Sequence, residues 1–534
     1  MAQISPVLPF YEKRLPIPPQ KQPELTTTNP ETGGPVQYYE VEIKPFTQEI
    51  YEGMPAQFTG YDGISPGPTF IVPRGTEAIV RFVNNGLNET SVHLHGSYSR
   101  APFDGWAEDV TQPGEYKDYY YPNQQSGRML WYHDHAMHIT AQNAYRGLAG
   151  AYILHDEAED ALNLPSGYGE FDIPLILSSK QYNEDGTLFD FGTVAGAWYG
   201  DVPHVNGIPW PFMDVEPRKY RFRFLNAAIS RNFGLYFTES TGDEDSKIPF
   251  HVIASDAGLL ERPVETSDLR AALAERWEIV FDFTEFTGQT IDLRNVPSIS
   301  NLGTEISFEN MDKIMRFNVA AETSAADNSV LPETLREVPF PTPTTADPTH
   351  SFLFARTNNQ WTINGVGFSD PVNRLLANVS VGTVERWELS NTSPFWSHPI
   401  HIHLIDMRIV SRSSGRVEEY ETAGLKDVVW LAKDETAVVE AHYAPWAGVY
   451  MFHCHNLIHE DDDMMAAFNT TVLPELGYNQ TTYIDPMEAE WRSKPMGASD
   501  FSTRSGQFTE DEIIERIQFM TSFRPYENAE AESN

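Results

Sequence analysis

Four pairs of the form His-x-His are the residues most able to do chemistry in this chain: His93-Leu94-His95, His133-Asp134-His135, His401-Ile402-His403 and His453-Cys454-His455. The last pair encloses the only cysteine among 534 residues. On a β-strand, side chains two apart face the same way. Each pair therefore offers two imidazoles to one side, and four such strands can converge eight of them on one cluster. Imidazole suits copper, zinc, iron and nickel. Cys454, the middle residue of its pair, points away from His453 and His455. A metal held by Cys454 is then a different metal from theirs, joined to them by a few covalent bonds.

Cys454-x4-His459-x4-Met464 sets a thiolate, an imidazole and a thioether at equal short spacings, and His398 adds a second imidazole three residues before His401. Two histidines and a cysteine with a weak axial methionine form the blue-copper electron-transfer pattern. Met465 is adjacent, but on an extended chain it faces the other way, so Met464 is the expected axial residue. One His-x-His alone reads as ordinary surface or core histidine; four of them with the Cys-His-Met frame do not. Ten of the 16 histidines are used in this way. His138, His155, His204, His251, His350 and His442 read as ordinary, with His138 only three residues beyond a pair.

With these motifs the chain resembles the multicopper oxidases. The runs His398-Pro-Ile-His-Ile-His403 and His453-Cys-His-Asn-Leu-Ile-His-Glu460 are similar to those of the fungal bilirubin oxidases, and the similarity extends to Asp104-Gly-Trp-Ala-Glu-Asp109 and Lys426-Asp-Val-Val-Trp430. The resemblance implies three cupredoxin-like domains and four copper ions. His398, Cys454, His459 and Met464 match the type 1 ligands, and His93 and His401 the type 2 ligands. His95, His133 and His455 match one type 3 copper; His135, His403 and His453 match the other. Electrons would leave the Cys454 sulfur, cross its own backbone and reach His453 or His455, a path of roughly 10 Å from residue dimensions. Dioxygen reduction consumes protons, and Asp104 and Glu460 are the carboxylates expected to relay them. The donor must approach a type 1 ligand edge such as His459. Phe395 and Trp396 offer an aromatic wall suited to a flat conjugated donor, although Trp396 also reads as ordinary core. Asn456 either hydrogen-bonds the donor or holds the ligand loop.

The activity implied is oxidation of bilirubin to biliverdin, and of phenols, with dioxygen reduced to water. The alternatives are a laccase-like phenol oxidase, a ferrous oxidase using the acidic run Glu460-Asp-Asp-Asp463, and a non-enzymatic copper-storage or coat protein. The partners expected are an aromatic or tetrapyrrole small molecule and dioxygen.

A net charge of −39 argues against nucleic acid and anionic membrane as partners and reads as a solubilising surface. No stretch of 18 apolar residues suggests a membrane span, and a monomer is expected. One cysteine excludes an intramolecular disulfide, so cysteine usage does not indicate the compartment. Asn88, Asn378, Asn391, Asn469 and Asn479 fit the N-glycosylation pattern. The proline-rich start, Met1 to Pro23, has no apolar signal core. The resemblance implies an extracellular, secreted protein, whose signal would then be absent from this chain.

The elements that must position these residues read as all-β. Tyr39, Val41 and Ile43 alternate with charged neighbours, and Trp277, Ile279, Phe281 and Phe283 alternate with mostly polar ones. A weak repeat occurs three times: a Gly turn (Tyr61-Asp-Gly, Val205-Asn-Gly, Ile363-Asn-Gly), then an alternating strand ending in Asn (Val80 to Asn85, Tyr220 to Asn226, Glu385 to Asn391). That domain-sized period predicts three copies of one β-sandwich. The first and third copies lead into His pairs; the second does not, so it is read as a spacer, with the cluster between the other two. Expected boundaries are 1–160, 161–325, a linker at 326–350, 351–475, and a tail at 476–534. In the tail, Thr509-Glu-Asp-Glu512 reads as a capping box before a short helix with Ile513, Ile514, Ile517 and Met520, packed on the third or the first domain.

Overall fold

The computed structural model describes residues 1–192, 194, 196–242, 246–296, 306–344, 346–472 and 483–522. They form six β-sheets paired into three sandwiches. In the first, a six-stranded sheet containing Pro35–Tyr51, Glu77–Asn84 and Glu115–Tyr121 faces a four-stranded sheet of Gly67–Pro73, Ala149–His155, Arg128–Asp134 and Val92–His95. Tyr61, Phe82 and Tyr132 meet in its core. The middle sandwich runs from Asp172–Lys180 to Lys313–Val319, and the third from His350–Thr357 to Met465–Thr471.

The threefold repeat corresponds to shared geometry. Asp62-Gly63, Asn206-Gly207 and Asn364-Gly365 all have positive φ at both residues, the backbone a tight hairpin turn of type I′ requires. In each sandwich the strand ending in Asn lies parallel to the first long strand: Glu77–Asn84 on Pro35–Tyr51, Lys219–Asn226 on Asp172–Lys180, Val384–Asn391 on His350–Thr357. The terminal Asn then staples the following loop. Asn226 Nδ2 donates to the carbonyls of Arg231 and Ala271, and Asn391 Nδ2 to those of Trp396 and Ala432. Each side-chain oxygen accepts from the amide two residues on. Asn84 does the same. Asn391 is thus 1% exposed and committed to this loop, so its sequon is not a surface acceptor. Asn479 and the boundary expected at 475/476 lie outside the described residues.

Several expectations are corrected. The N-terminal segment, expected with the first sandwich alone, spans the first and the middle ones: Leu25–Thr28 pairs with Pro35–Tyr51, while the residues before it also reach the middle sandwich. Leu15 enters the middle core, and Ser5 bonds Asp201 through both its amide and its hydroxyl. The described residues of 320–349 form no helix or strand, and the strand His350–Thr357 begins at the last residue of the expected linker. They are nevertheless strapped down, with Leu335 buried in the middle core. The tail helix Glu510–Thr521 packs on the first sandwich through Ile513, Ile517 and Met520, while Ile514 is half-buried. Its capping box does not form, because the Thr509 hydroxyl donates back to the Gly506 carbonyl. No helix among the described residues is long and apolar enough to cross a membrane.

Candidate metal centre

The eight paired histidines converge where the first and third sandwiches meet. Val92–His95 runs antiparallel to Arg128–Asp134, with His93 opposite His133. His398–Ile402 runs antiparallel to Gly448–Cys454, with His401 opposite His453. The two sheets press these edges together: the His95 and His401 rings stack at 3.6 Å between centroids, and those of His93 and His403 at 4.0 Å. None of the eight is more than 1% exposed.

Their hydrogen bonds point the free ring nitrogens inward. His403 Nδ1 donates to Asp104 Oδ2 (2.7 Å), His453 Nδ1 faces Glu460 Oε2 (3.0 Å), and His401 Nδ1 donates to the Asp427 carbonyl (2.8 Å). His93 Nδ1 donates to the Asp104 carbonyl and His133 Nδ1 to the Asp134 carbonyl. A ring that donates from one nitrogen presents a lone pair at the other. The Nε2 atoms of His403 and His453 are then two lone pairs 3.2 Å apart, with His135 Nε2 3.1 Å from His453 Nε2. The Nε2 atoms of His93, His133 and His401 and both ring nitrogens of His455 are buried without a hydrogen-bond partner. Facing lone pairs in a dry interior repel unless a cation lies among them. Burial first, then neighbouring imidazoles, favour the neutral form of His93, His95, His133, His135, His401, His403 and His455: His135 falls to about 4 and His133 to about 3. Neutral imidazole is the metal-binding form.

A second convergence lies behind the same strand. Cys454 Sγ is 3.3 Å from His398 Nδ1 and 3.6 Å from His459 Nδ1, and those two nitrogens are 3.1 Å apart. His398 Nε2 bonds the Ser393 hydroxyl, and His459 hydrogen-bonds the Gly196 carbonyl, so both Nδ1 atoms turn to the sulfur. Burial pushes the Cys454 thiol well up; a bound cation reverses that penalty by stabilising the thiolate. Met464 shares the core around Cys454, whereas Met465 packs on the other side with Trp106 and Phe368. Two imidazoles, a thiolate and a nearby thioether fit copper.

The other predicted residues divide. Asp104, closing the short helix Ala101–Phe103, is 4% exposed and touches two histidines of the cluster. Burial raises its carboxyl well above the usual range. Glu460 reaches His135 Nδ1 at 3.4 Å as well as His453. Burial opposes its charge, but those imidazoles hold it at about 2. Asn456 caps the helix Leu457–Asp461, accepts from Ser230, and is 4% exposed, so it holds the ligand loop and does not face solvent. Trp396 is half-buried and stands edge-on to His459 at 5.2 Å. Phe395 does not join it: at 62% exposure it lies under Lys433. His138 is exposed and donates to the Asp461 carbonyl, outside the cluster. Sequence reasoning gave Asp427 no role, yet His95 Nε2 donates to its Oδ1 (3.1 Å). A lone Asp in the bend before the strand Val428–Leu431 carries no spacing signal that marks it.

Family models described as multicopper oxidase match residues 42–159 and 340–473. The chain is 62% identical to a bilirubin oxidase of Albifimbria verrucaria over 99% of its own length and 93% of that protein's. It is 33% identical to a laccase of Bacillus subtilis (strain 168), covering 83% of this chain and 97% of that one. The crystal structure of the McoA multicopper oxidase from Aquifex aeolicus superposes with a TM-score of 0.76 at 28% identity, covering 86% of this chain and 99% of that one. An eight-histidine cluster, a separate Cys-His-His set on the same strand and these likenesses lead to one conclusion: the chain belongs to the multicopper oxidases, copper enzymes that carry one type 1, one type 2 and two type 3 ions and use dioxygen as acceptor.

Proposed function

We propose that this chain oxidises bilirubin to biliverdin, and phenols, at the Cys454 site and reduces dioxygen to water at the histidine cluster. One observation carries the division of labour. His453-Cys454-His455 puts the thiol on one face of a strand and two cluster imidazoles on the other, so the two sites share a covalent link. The choice of bilirubin is supported by the identity to the Albifimbria enzyme. Each bilirubin gives up two electrons and two protons, and two of them balance one dioxygen reduced to two waters. In our assignment His398, Cys454, His459 and Met464 hold type 1 copper. His93 and His401 hold type 2. His95, His133 and His455 hold one type 3 ion, and His135, His403 and His453 the other. Bound copper supplies one-electron acceptance at the first site and multi-electron transfer to dioxygen at the cluster.

The residues do the rest. Trp396 covers one edge of His459, and the half-exposed indole is where a flat donor meets the site. Burial disfavours the Asp104 anion and raises its carboxyl well above the usual range, which favours the proton-holding form. Its Oδ1 has no hydrogen-bond partner, which leaves that atom free to hold the proton for dioxygen reduction. Glu460 stays ionised and orients His135 and His453. The ferrous-oxidase reading loses its motive. Of the acidic run, Glu460 faces the cluster, Asp461 caps Thr140 and Ala141, and Asp463 bonds Gln360 and Ser369, leaving Asp462 alone. The protein acts as a secreted monomer in this reading. Parallel oxygen-uptake assays on the copper-loaded protein with bilirubin, a phenol and ferrous ion test it. Bilirubin and the phenol should support uptake far faster than ferrous ion; uptake with ferrous ion alone overturns the proposal.

A further inference from the structure

The middle sandwich supplies none of the ten histidines, yet one of its side chains reaches the cluster. Arg276, on the strand Arg276–Asp282, is fully buried and forms a two-pronged pair with Asp427, Nη1 to Oδ1 at 2.7 Å and Nη2 to Oδ2 at 2.5 Å. Asp427 in turn holds one histidine from each flanking sandwich. Its Oδ1 accepts from His95 Nε2 (3.1 Å) and its carbonyl accepts from His401 Nδ1 (2.8 Å). The first contact fixes His95 in the tautomer whose lone pair is on Nδ1, the ring nitrogen left buried without a partner. The second turns His401 Nε2 to the same centre.

The pair is itself fixed from three sides. Arg276 Nε donates to the Met129 carbonyl of the first sandwich (3.0 Å). The Asp256 carboxylate accepts from the Arg276 amide at 2.8 Å and, from the third sandwich, the Asp427 amide at 3.2 Å. Lys426 bridges Asp256 and Glu275 at 2.9 and 3.0 Å. Gly96, directly after His95, sits at φ +86°, and a Cβ there would come within 2.7 Å of both Arg276 Nη2 and Asp427 Oδ2. The backbone beside His95 therefore leaves room for this pair and for little else.

We propose that Arg276 is a positioning residue for the trinuclear copper centre: by clamping Asp427 it sets the rings of His95 and His401, and so the middle sandwich helps build the cluster it does not ligate. A planar guanidinium matches a carboxylate at both oxygens, and lysine cannot. The inference rests on the ligand assignment above.

The test uses the full-length, copper-loaded protein and the variants Asp427→Asn, Arg276→Lys and Arg223→Lys. Arg223 belongs to the same middle sandwich and pairs with Asp172 and Glu278, none of which is among the assigned ligands or their partners. Cluster copper in Asp427→Asn and Arg276→Lys should be lost to a competing chelator at about 10- to 100-fold lower concentration than in the parent. The type 2 electron-paramagnetic-resonance signal should change its hyperfine splitting, while the visible band of the Cys454 site stays unchanged. Arg223→Lys should keep the parent's copper retention and spectrum even where its Tm falls. Asp427→Asn with the parent's retention and type 2 spectrum overturns the inference, as does Arg223→Lys losing copper as readily as Arg276→Lys. Should Arg276→Lys not accumulate as folded protein, the other two variants decide. A parent without a type 2 signal overturns the ligand assignment, and this inference with it.

Discussion

On the strand Arg128–Asp134, Asp134 follows His133 and precedes His135; on Gly448–Cys454, Cys454 follows His453 and precedes His455. Both middle residues are fully buried on the face away from the cluster. Their surroundings differ in kind. Asp134 meets hydrogen-bond donors: the amides of Ser91 and Ala136 and the Asn143 side chain, each at 3.1 Å. Cys454 meets two imidazole nitrogens with their lone pairs turned to it. One backbone pattern thus serves as a structural anchor in the first sandwich and as an electron entry in the third. The set of groups facing the middle position decides which, and the identity of the middle residue follows from it.

The most severe way to break this comparison is Cys454→Ser. The visible band and donor oxidation should both disappear, while the cluster copper stays, because Cys454 and the His453 and His455 rings lie on opposite faces. Metal analysis should fall from four coppers per chain to three. Loss of all copper would show that the two faces are not independent.

Asp104→Asn sharpens the contrast between the sites. An amide keeps the size and one acceptor for His403 Nδ1 but delivers no proton at neutral pH. Dioxygen reduction should slow by about 10²- to 10⁴-fold, the usual worth of a positioned acid. Electron entry at the Cys454 site should be nearly unchanged. In steady turnover the visible band should then bleach, which stopped-flow absorbance reads directly; a band that stays coloured places the block upstream of the cluster.

Asp134→Cys asks whether a thiol alone makes a blue site. Among the described residues its side-chain hydrogen-bond partners are Ser91, Ala136 and Asn143, none of them an imidazole, so no second visible band should appear. Three donors would lose a charge-capable acceptor, and burying them without one costs about 1–3 kcal/mol each at most. Thermal unfolding should show the loss. A new blue band would mean that the thiol makes the colour without imidazoles of its own, and that the groups facing the middle position do not decide its role.

The parts that were legible in the sequence share a cause. His-x-His pairs read correctly because strand periodicity is local, and the Asn-terminated repeat read correctly because the same loop staple was used three times. What escaped was non-local or set by exposure. Arg276 and Asp427 are 151 residues apart, one opening a strand and the other just before one, and neither position stands out. Phe395 and Trp396 are neighbours in sequence, but a positive φ at Phe395 sends its ring to solvent. The Thr509 capping signature was satisfied by a carbonyl on its other side. The N-terminal segment carries no pattern that says which sandwich it will cover.

The smallest expected effect concerns tuning within the Cys454 site. Met464 and Met465 are adjacent, yet only Met464 shares the core around the thiol, while Met465 lies opposite His453 and packs against Trp106. A thioether donates weakly, an amide oxygen more strongly to oxidised copper, and an alkyl group not at all. The oxidised state is therefore stabilised in the order Gln, Met, Leu at position 464. Met464→Leu should raise the potential and Met464→Gln should lower it, with the cluster copper and fold retained in both, as potentiometric titration of the visible band would read. Asp134 again supplies the contrast, since its side-chain partners are hydrogen-bond donors and give nothing of this kind to tune. The same pair of substitutions at Met465 should leave the potential near its parent value. A shift at 465 with none at 464 would mean that the strand turns the other way at this point, and that the axial group was assigned to the wrong methionine.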